Sequence, residues 1–321
     1  MSDKTTLPEL HNHDSAPAGA SRRKLLKCMM WGSAAVMWTM SGGVPRPFGL
    51  DGEAEAAPAA GDFTFMQISD THIGFKAPAN PDPIGTLKDG LAKVAAVKPA
   101  MLLHTGDVSH LAKPEQFDMA VEIMKTTNLE THYVPGEHDT IGDDGKSFFE
   151  RFGNDKRTEG GWYSFDQAGV HFVGLINVVN LRPGGLGYLG PTQLAWLEAD
   201  LKGRTASTPI VVFTHMPMWT VSRAWGWGTD DAEPAVALLK RFGSATVLNG
   251  HIHQVIQKVE GSVALRTAYS TAFPQAAPDT PGATPGPLKV AADQLRSVLG
   301  VRRIDVVHDK GVTLTDATLA S

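Results

Sequence analysis

The chain has 321 residues, of which 42% are hydrophobic and 20% are charged, a composition typical of a folded globular protein. Its formal net charge of −5 provides no basic surface and argues against binding of nucleic acids through their phosphates. The single cysteine, Cys28, excludes a disulfide framework. A mature domain of about 265 residues is large enough to fold around one core without disulfides.

Residues 1–60 have the features of an export signal followed by a linker. Arg22 and Arg23 precede an apolar run from Cys28 to Met40, and charged residues before a short apolar stretch are typical of secretory signals. The adjacent arginines resemble the twin-arginine signal, which exports folded proteins, so the twin-arginine export machinery is an expected partner. The alternative is a membrane anchor, but the run has 13 residues, whereas a spanning helix needs about 20.

The segment from 41 to 60 is rich in Gly, Pro and Ala, which predicts a disordered connector. Within it, Ala54-Glu55-Ala56 is a candidate A-x-A cleavage site. We therefore expect a periplasmic or otherwise exported protein, cleaved near Ala56 and without a stable membrane anchor. Residues 61–321 are expected to form a single domain.

The first half of this domain predicts strands that alternate with helices. Phe63 to Ile68, Met101 to His104 and His132 to Val134 are short apolar segments that end at Ser-Asp, Gly-Asp or Pro-Gly, as buried strands do. Ile84 to Val97 has apolar residues at helical spacing, and Pro114 to Thr127 predicts a second helix that begins at proline. Such alternation indicates crossover units and a parallel sheet.

The second half predicts further strands, two hairpins and three helices. The hairpins turn about Gln167-Ala168-Gly169 and Glu260-Gly261, and the Pro/Gly-rich residues 274–287 predict a surface loop. The fold class expected from the whole pattern is α/β, a four-layer α/β/β/α sandwich of two mixed sheets with helices outside. The predicted strands are Trp162–Asp166, Val170–Ile176, Pro209–Phe213, Ala245–Leu248, the hairpin over 255–265, Arg303–Val307 and Val312–Leu314; the predicted helices are Thr192–Lys202, with Thr192 as N-cap, Glu233–Phe242 and Val290–Leu299.

Five clusters of metal-ligand residue types follow predicted strand ends, where α/β folds place their sites. Taken singly each has an ordinary explanation, since Gly-Asp is common in turns and a histidine such as His215 at a strand end is more often structural. Five of the ten histidines after residue 60 lie in these clusters, which together predict one site. His104 and His110 are supporting or structural residues in this interpretation. The clusters are Asp70-Thr71-His72, Gly106-Asp107, Gly136-Glu137-His138-Asp139, His215 and Gly250-His251-Ile252-His253.

This ordered series, over about residues 62–270, resembles the calcineurin-like metallophosphoesterase superfamily, and most nearly its bacterial cyclic-nucleotide-phosphodiesterase-like branch. The resemblance implies a metal-dependent hydrolase of small phosphate esters, with phosphodiesters expected, in which a metal-bridging hydroxide attacks phosphorus in line. It implies that His138, oriented by Asp139, stabilises the transition state and helps to protonate the leaving oxygen. The implied metal ligands are Asp70, His72 and His253 for one ion, Glu137, His215 and His251 for the other, and Asp107 as the bridge.

The third cluster departs from the family, which has Asn at the position of Glu137. With two divalent ions, two aspartates and a hydroxide, the formal charge is +1, and Glu137 lowers it to zero. A like-charge contact near 4 Å costs about 4 kcal/mol at an effective dielectric of 20. A trivalent ion would restore the formal charge of +1. Because nitrogen and oxygen ligands suit Fe, Mn, Zn or Co, we expect a trivalent iron paired with Fe, Mn or Zn. The alternative is a catalytically weak metal-binding protein of the same fold.

The segment after His215 contains three tryptophans and an arginine, whose role the sequence leaves open. They either overhang the metal site and stack on an aromatic group of the substrate, or pack a glycine-rich loop. These residues are Trp219, Arg223, Trp225 and Trp227.

Overall fold

A computed structural model of the chain describes residues 61–153, 155–278, 280–307 and 311–321, together with the backbone of two strands, β1 (Met37–Ser41) and β2 (Val44–Phe48). These two strands pair antiparallel in a unit that ends at Phe48. Strand β2 lies within residues 41–60, where the Gly-, Pro- and Ala-rich sequence predicts a disordered connector. The paired arginines and the cleavage site lie outside the described residues.

Residues 61–321 belong to a second unit, called the main unit below. A five-stranded mixed sheet forms one half of it. Its strand order is β13-β12-β3-β4-β5, in which β3, β4 and β5 run parallel and β12 is antiparallel to both β3 and β13. The three parallel strands are the first three predicted from the sequence, with bounds shifted by at most one residue. Its strands are β3 (Phe63–Ile68), β4 (Met101–His104), β5 (Thr131–Tyr133), β12 (Gly300–Val307) and β13 (Gly311–Thr318).

A six-stranded mixed sheet forms the other half. Its order is β10-β11-β9-β8-β7-β6, with β7, β8, β9 and β11 parallel and the two edge strands antiparallel to their neighbours. The antiparallel edges are the two predicted hairpins, β6–β7 and β10–β11. Its strands are β6 (Tyr163–Gln167), β7 (Val170–Gly174), β8 (Ile210–Phe213), β9 (Ala245–Asn249), β10 (Gln257–Glu260) and β11 (Val263–Thr267).

Five α-helices and three short 3-10 segments lie among the described residues, and none of these helices has both the length and the apolarity needed to cross a membrane. The predicted helix over Val290–Leu299 is wrong, because only Leu295 and Leu299 of its apolar residues are buried, too few for a packed helical face. The helices are α1 (Pro83–Val97), α2 (Pro114–Lys125), α3 (Lys146–Phe152), α4 (Pro191–Lys202) and α5 (Ala232–Leu239), and the 3-10 segments are Glu137–Asp139, Arg223–Trp225 and Leu295–Ser297.

Two helix details also differ from expectation. Helix α4 begins at Pro191 with Gly190 as its N-cap, two residues before the predicted cap Thr192. Proline is favoured at the first helical position, because it loses no hydrogen bond there. Helix α3 was not predicted, since its 7 residues are too few to show a period.

Apolar side chains fill three successive layers, which confirms the four-layer sandwich. Phe65, Phe172 and Phe213 lie between the two sheets and are fully buried. The outer face of the five-stranded sheet packs on α1, α2 and α3, and that of the six-stranded sheet packs on α4 and α5. Burial of each such side chain contributes about 1.5–3 kcal/mol. This packing holds the strand ends that carry the candidate site.

Candidate metal centre

The seven side chains expected as metal ligands lie together, although they come from five separate loops. Asp70 and His72 follow β3, and Asp107 follows β4. Glu137 lies in the 3-10 segment after β5, and the remaining three histidines follow β8 and β9. Parallel strands of a sheet end at the same edge, so the loops that follow them meet there. The seven residues are Asp70, His72, Asp107, Glu137, His215, His251 and His253.

One group consists of Asp70, His72 and His253, whose ligand atoms lie within 4.8 Å of one another. His253 Nε2 is 3.3 Å from Asp70 Oδ1, and His72 Nε2 is 3.3 Å from His253 Nε2. All three residues are at most 2% exposed. A carboxylate and two imidazole nitrogens that point at one buried space form a donor set that fits a transition-metal ion.

A second group consists of Glu137, His215 and His251. His215 Nε2 is 2.9 Å from Glu137 Oε2, and His251 Nδ1 is 3.0 Å from Glu137 Oε1. Nevertheless Glu137 Oε2, His215 Nε2 and both nitrogens of His251 are buried and form no hydrogen bond with the described residues. Buried polar atoms without a hydrogen-bond partner are costly. A cation bound among these atoms would remove that cost, so this donor set also fits a metal ion.

Asp107 lies between the two groups. Its Oδ2 is 3.5 Å from Nε2 of His72 in the first group and 3.4 Å from Nε2 of His215 in the second. Its other oxygen, Oδ1, accepts a hydrogen bond of 3.0 Å from the backbone N–H of His138. A carboxylate in this position can bridge two ions.

The backbone at the centre is strained. Five of the seven residues have positive φ: 53° at Asp70, 39° at His72, 52° at Asp107, 68° at His251 and 54° at His253. Such conformations cost of order 1–3 kcal/mol each in residues other than glycine and are typical of functional sites. They let consecutive short loops aim several side chains at one point.

Two glycines make this packing possible. Gly106 has φ of 95°, so it takes the left-handed turn that precedes Asp107. In the loop after β9 the residues with positive φ are His251 and His253, and Gly250 is not among them. A Cβ on Gly250 would instead collide with Ser69 Oγ and Asp70 Oδ2, so glycine is needed there for space.

Carbonyl oxygens orient three of the imidazoles. His215 Nδ1 lies 2.7 Å from the Thr105 carbonyl, and His253 Nδ1 lies 2.6 Å from the Phe273 carbonyl. A carbonyl only accepts, so each Nδ1 carries a hydrogen and each Nε2 is the nitrogen that faces the centre, where it can bind a metal ion or exchange a proton. The same arrangement holds at His138, whose Nδ1 is 2.7 Å from the carbonyl of His110.

The expectation that Asp139 orients His138 is therefore corrected. The fully buried carboxyl of Asp139 accepts hydrogen bonds from the backbone of Val108 (2.9 Å), Ser109 (2.7 Å) and Gly136 (3.0 Å). Burial and the nearby Asp107 raise the pKa of Asp139 to about 7 in spite of these donors. Asp139 thus ties the loop after β4 to the loop after β5, and the His110 carbonyl orients His138.

Charge at the centre is shared between carboxylates and imidazoles. Burial lowers the pKa of His215, but the Asp107 and Glu137 carboxylates outweigh it and hold that pKa well above its usual value. Burial raises the pKa of Glu137, but His251 and His215 outweigh it and hold that pKa well below its usual value. Burial likewise lowers the pKa of His138, which Asp107 and Glu137 raise above its usual value.

Two phenylalanines complete the wall of the centre, and the sequence gives no sign of them. The Phe273 ring lies 4.7 Å from the ring of His72 and 4.5 Å from that of His253, and it stacks on Phe75 at 4.3 Å. Ser270, three residues before Phe273, donates to the carbonyl of Asp70. The segment from 268 to 275 contains no His, Cys, Asp or Glu, so its sequence carries none of the signals that mark the five clusters.

The tryptophan-rich loop has a packing role for at least one of its rings. Trp227 is 1% exposed and meets Trp225 edge to face at 5.0 Å, while Arg223 pairs with Asp230 at 2.9 Å. Trp227 therefore packs the loop and is not available to stack on a substrate. Trp219 and Trp225 are partly exposed, and Trp219 packs against the core on the outer side of the six-stranded sheet.

Comparison with known proteins places these features in context. A family model for calcineurin-like phosphoesterases matches residues 63–255. Over 208 residues the chain is 26% identical to a 3',5'-cyclic-nucleotide phosphodiesterase from Nostoc sp., covering 62% of this chain and 75% of that protein. Over 208 residues it is 25% identical to a glycerophosphodiester phosphodiesterase from Enterobacter lignolyticus, covering 59% and 70%. The fold resembles that of a dimetal phosphatase from Danio rerio, with a TM-score of 0.58 at 14% identity, covering 79% and 98%.

Proposed function

The chain belongs to the calcineurin-like phosphoesterase family and is a metal-dependent phosphoester hydrolase, and from this premise we propose that it cleaves small phosphodiesters at a binuclear centre. The observation that carries the proposal is the pair of three-residue donor groups with Asp107 between them. Asp70, His72 and His253 would hold one ion, and Glu137, His215 and His251 would hold the other. Relatives named as phosphodiesterases support the choice of diesters as substrates.

When bound, two ions supply Lewis-acid polarisation of the phosphate and a lower pKa for the attacking water, for displacement in line with the leaving oxygen. The protein would contribute His138 as the proton donor to that oxygen. Because Nδ1 of His138 donates to the His110 carbonyl, its Nε2 is the atom that holds the transferred proton. The Asp107 and Glu137 carboxylates raise the pKa of His138 above its usual value against the effect of burial, which favours the proton-carrying form of the imidazole.

For the metals we propose a trivalent iron with Fe, Mn or Zn. The donor set contains only nitrogen and oxygen, which suits these ions. Glu137 adds a third carboxylate to Asp70 and Asp107, and a trivalent ion restores the positive charge that attracts an anionic substrate. Metal analysis combined with electron paramagnetic resonance tests this composition, and a fully active protein that contains only divalent ions would contradict it.

The decisive experiment is a panel of cyclic nucleotides, other phosphodiesters, phosphomonoesters and pyrophosphates, assayed on metal-analysed protein. We expect diesters to be hydrolysed faster than monoesters. Asp107→Asn is the reference variant, since it removes the charge between the two donor groups and should lower kcat/KM at least a hundredfold. Equal rates for the two proteins would show that the hydrolysis has another source.

The alternative function is that of a catalytically weak metal-binding protein. It is favoured by Glu137, whose carboxylate reaches both His215 and His251 and adds to the centre a negative charge that repels an anionic substrate. Comparing wild type with Glu137→Asn on a generic phosphodiester separates the two functions. High wild-type turnover supports the hydrolase, whereas activity in the Asn variant alone supports the alternative.

A further inference from the structure

The outward nitrogen of His72 faces a second imidazole, whereas those of His215 and His253 face carbonyls. Nδ1 of His72 lies 3.3 Å from Nδ1 of His110. Nε2 of His72 points to the centre, 3.3 Å from His253 Nε2 and 3.5 Å from Asp107 Oδ2. This orientation leaves Nδ1 of His72 outside the first donor group.

The short distance between the two Nδ1 atoms specifies where the hydrogen lies. Two imidazole nitrogens approach to 3.3 Å favourably when one carries a hydrogen and the other a lone pair. A metal-binding imidazole needs its lone pair on the nitrogen that faces the metal, which in His72 is Nε2. The hydrogen of His72 is therefore on Nδ1, and Nδ1 of His110 is the acceptor.

His110 is held firmly enough to act as a fixed acceptor. Its backbone N–H donates to the carbonyl of Ile73 at 3.0 Å, and Phe75 meets its ring edge to face at 5.2 Å. On its other side the ring stacks on His138 at 4.8 Å with an interplanar angle of 17°. Its carbonyl accepts from Nδ1 of His138 at 2.7 Å. One residue thus contacts a candidate metal ligand and the candidate proton donor.

We propose that His110 is a positioning residue of the metal centre: its ring accepts the Nδ1 hydrogen of His72, and its carbonyl accepts the Nδ1 hydrogen of His138. The inference rests on the proposed function, because it takes His72 as a metal ligand and His138 as the proton donor. The ring contact fixes the tautomer and orientation of His72, so it contributes to metal affinity. The carbonyl contact belongs to the backbone, so side-chain variants leave it in place.

Three variants of His110 separate the effect of its hydrogen-bond acceptor from the effect of its stacking ring. His110→Asn places an amide oxygen close to the position of Nδ1 and keeps the acceptor, whereas His110→Phe keeps a stacking ring without an acceptor. His110→Leu, which has neither, is measured alongside. His132→Phe is the matched control, since His132 stacks on Phe165 at 3.8 Å and contacts none of the seven candidate ligands.

The primary measurement is calorimetric titration of metal-free protein with Mn²⁺ and with Zn²⁺, after thermal melting has shown that each metal-free variant is folded. Loss of an acceptor behind a metal-bound histidine typically weakens metal binding about 10–100-fold. We expect His110→Phe and His110→Leu to lose affinity by that factor at one of two sites, while His110→Asn and His132→Phe retain wild-type affinity.

Three outcomes would overturn the proposal: wild-type affinity in His110→Phe and His110→Leu, an equal loss in His110→Asn, or a third ion bound by wild type through His72, His110 and His138. Phosphodiester hydrolysis by wild type is assayed separately. Absent hydrolysis together with the predicted pattern of affinities would refute the proposed function and leave the role of the His110 ring in positioning His72 standing. Normal hydrolysis by wild type, together with unchanged metal affinities of the His110 variants, would support the proposed function and refute the role of His110.

Discussion

At the scale of single residues, the candidate centre combines left-handed backbone with very close packing. Asp70, Asp107 and His251 each have positive φ, and glycines at 106 and 250 leave room for their neighbours. Each such conformation costs free energy that the surrounding structure must offset. The centre is therefore sensitive to added volume even at positions that offer no ligand atom.

Gly250→Ala tests this sensitivity. The added Cβ meets Ser69 Oγ and Asp70 Oδ2, so Asp70 or the strained loop at His251 must move. We expect kcat/KM on a phosphodiester to fall at least tenfold, with an overpacking cost of about 1–3 kcal/mol in the free energy of unfolding. Gly203→Ala is the control, because a Cβ there has no neighbour within 4 Å and its φ is negative. Equal activity of the two variants would contradict the packing argument.

At the scale of elements, a histidine joins two strands to a helix. His171 of β7 lies 2.9 Å from Asp166 of β6 through Nδ1 and 2.7 Å from Asp200 of α4 through Nε2. Ser164 of β6 donates to the other oxygen of Asp200 at 2.7 Å. Burial raises the pKa of Asp200, but the hydrogen bonds from His171 and Ser164 outweigh it and lower that pKa below its usual value of 3.8.

This shift predicts how stability depends on pH. A carboxyl whose pKa is lower in the folded state stabilises the protein above the unfolded pKa, and loses that contribution as pH falls through the folded pKa. Asp200→Asn should therefore be less stable than wild type near neutral pH, and the difference should shrink below pH 3.8. Urea denaturation at a series of pH values measures it. A difference that stays constant down to about pH 2 would contradict the assignment.

At the scale of the whole molecule, a buried arginine connects the two sheets of the main unit. Arg302 of β12 is 1% exposed and donates to Asp316 of β13 at 2.8 Å and to Gln67 of β3 at 3.3 Å. It also donates to the carbonyl of Thr267 of β11, in the other sheet, at 2.7 Å. Its charge is thus paired, and its donors tie the sheets together near the strands that carry the centre.

Arg302→Met should destabilise the protein, because the buried Gln67 side chain and the Thr267 carbonyl lose a hydrogen-bond donor and Asp316 loses its counter-charge. Each buried acceptor left without a partner costs about 1–3 kcal/mol, which chemical denaturation can measure. The adjacent Arg303→Met is the matched control, since Arg303 is exposed and pairs with Asp305 on the surface. An exposed pair contributes about 0–1 kcal/mol. Similar losses in the two variants would show that burial does not decide the cost.

Export of the whole protein is a separate prediction, which rests on the sequence. We propose that Arg22 and Arg23 direct the chain to the twin-arginine machinery, and that its mature form is periplasmic or otherwise exported. Replacing both arginines by lysine should retain the protein inside the cell, as fractionation and immunoblotting would show. Undiminished appearance of the double variant outside the cytoplasm would contradict the prediction.

The sequence by itself determined the fold class and the parallel strands, because hydrophobic period and the residues that end strands are local signals. Its resemblance to the phosphoesterase family implied the residues of the donor groups. Only the tertiary structure decided which atoms meet. It assigned Asp139 to loop anchoring, gave the turn after β9 to His251, and brought Phe273 and His110 to the centre. Those outcomes depend on contacts between distant segments and on left-handed backbone that packing imposes, and neither is encoded in the periodicity of any one segment.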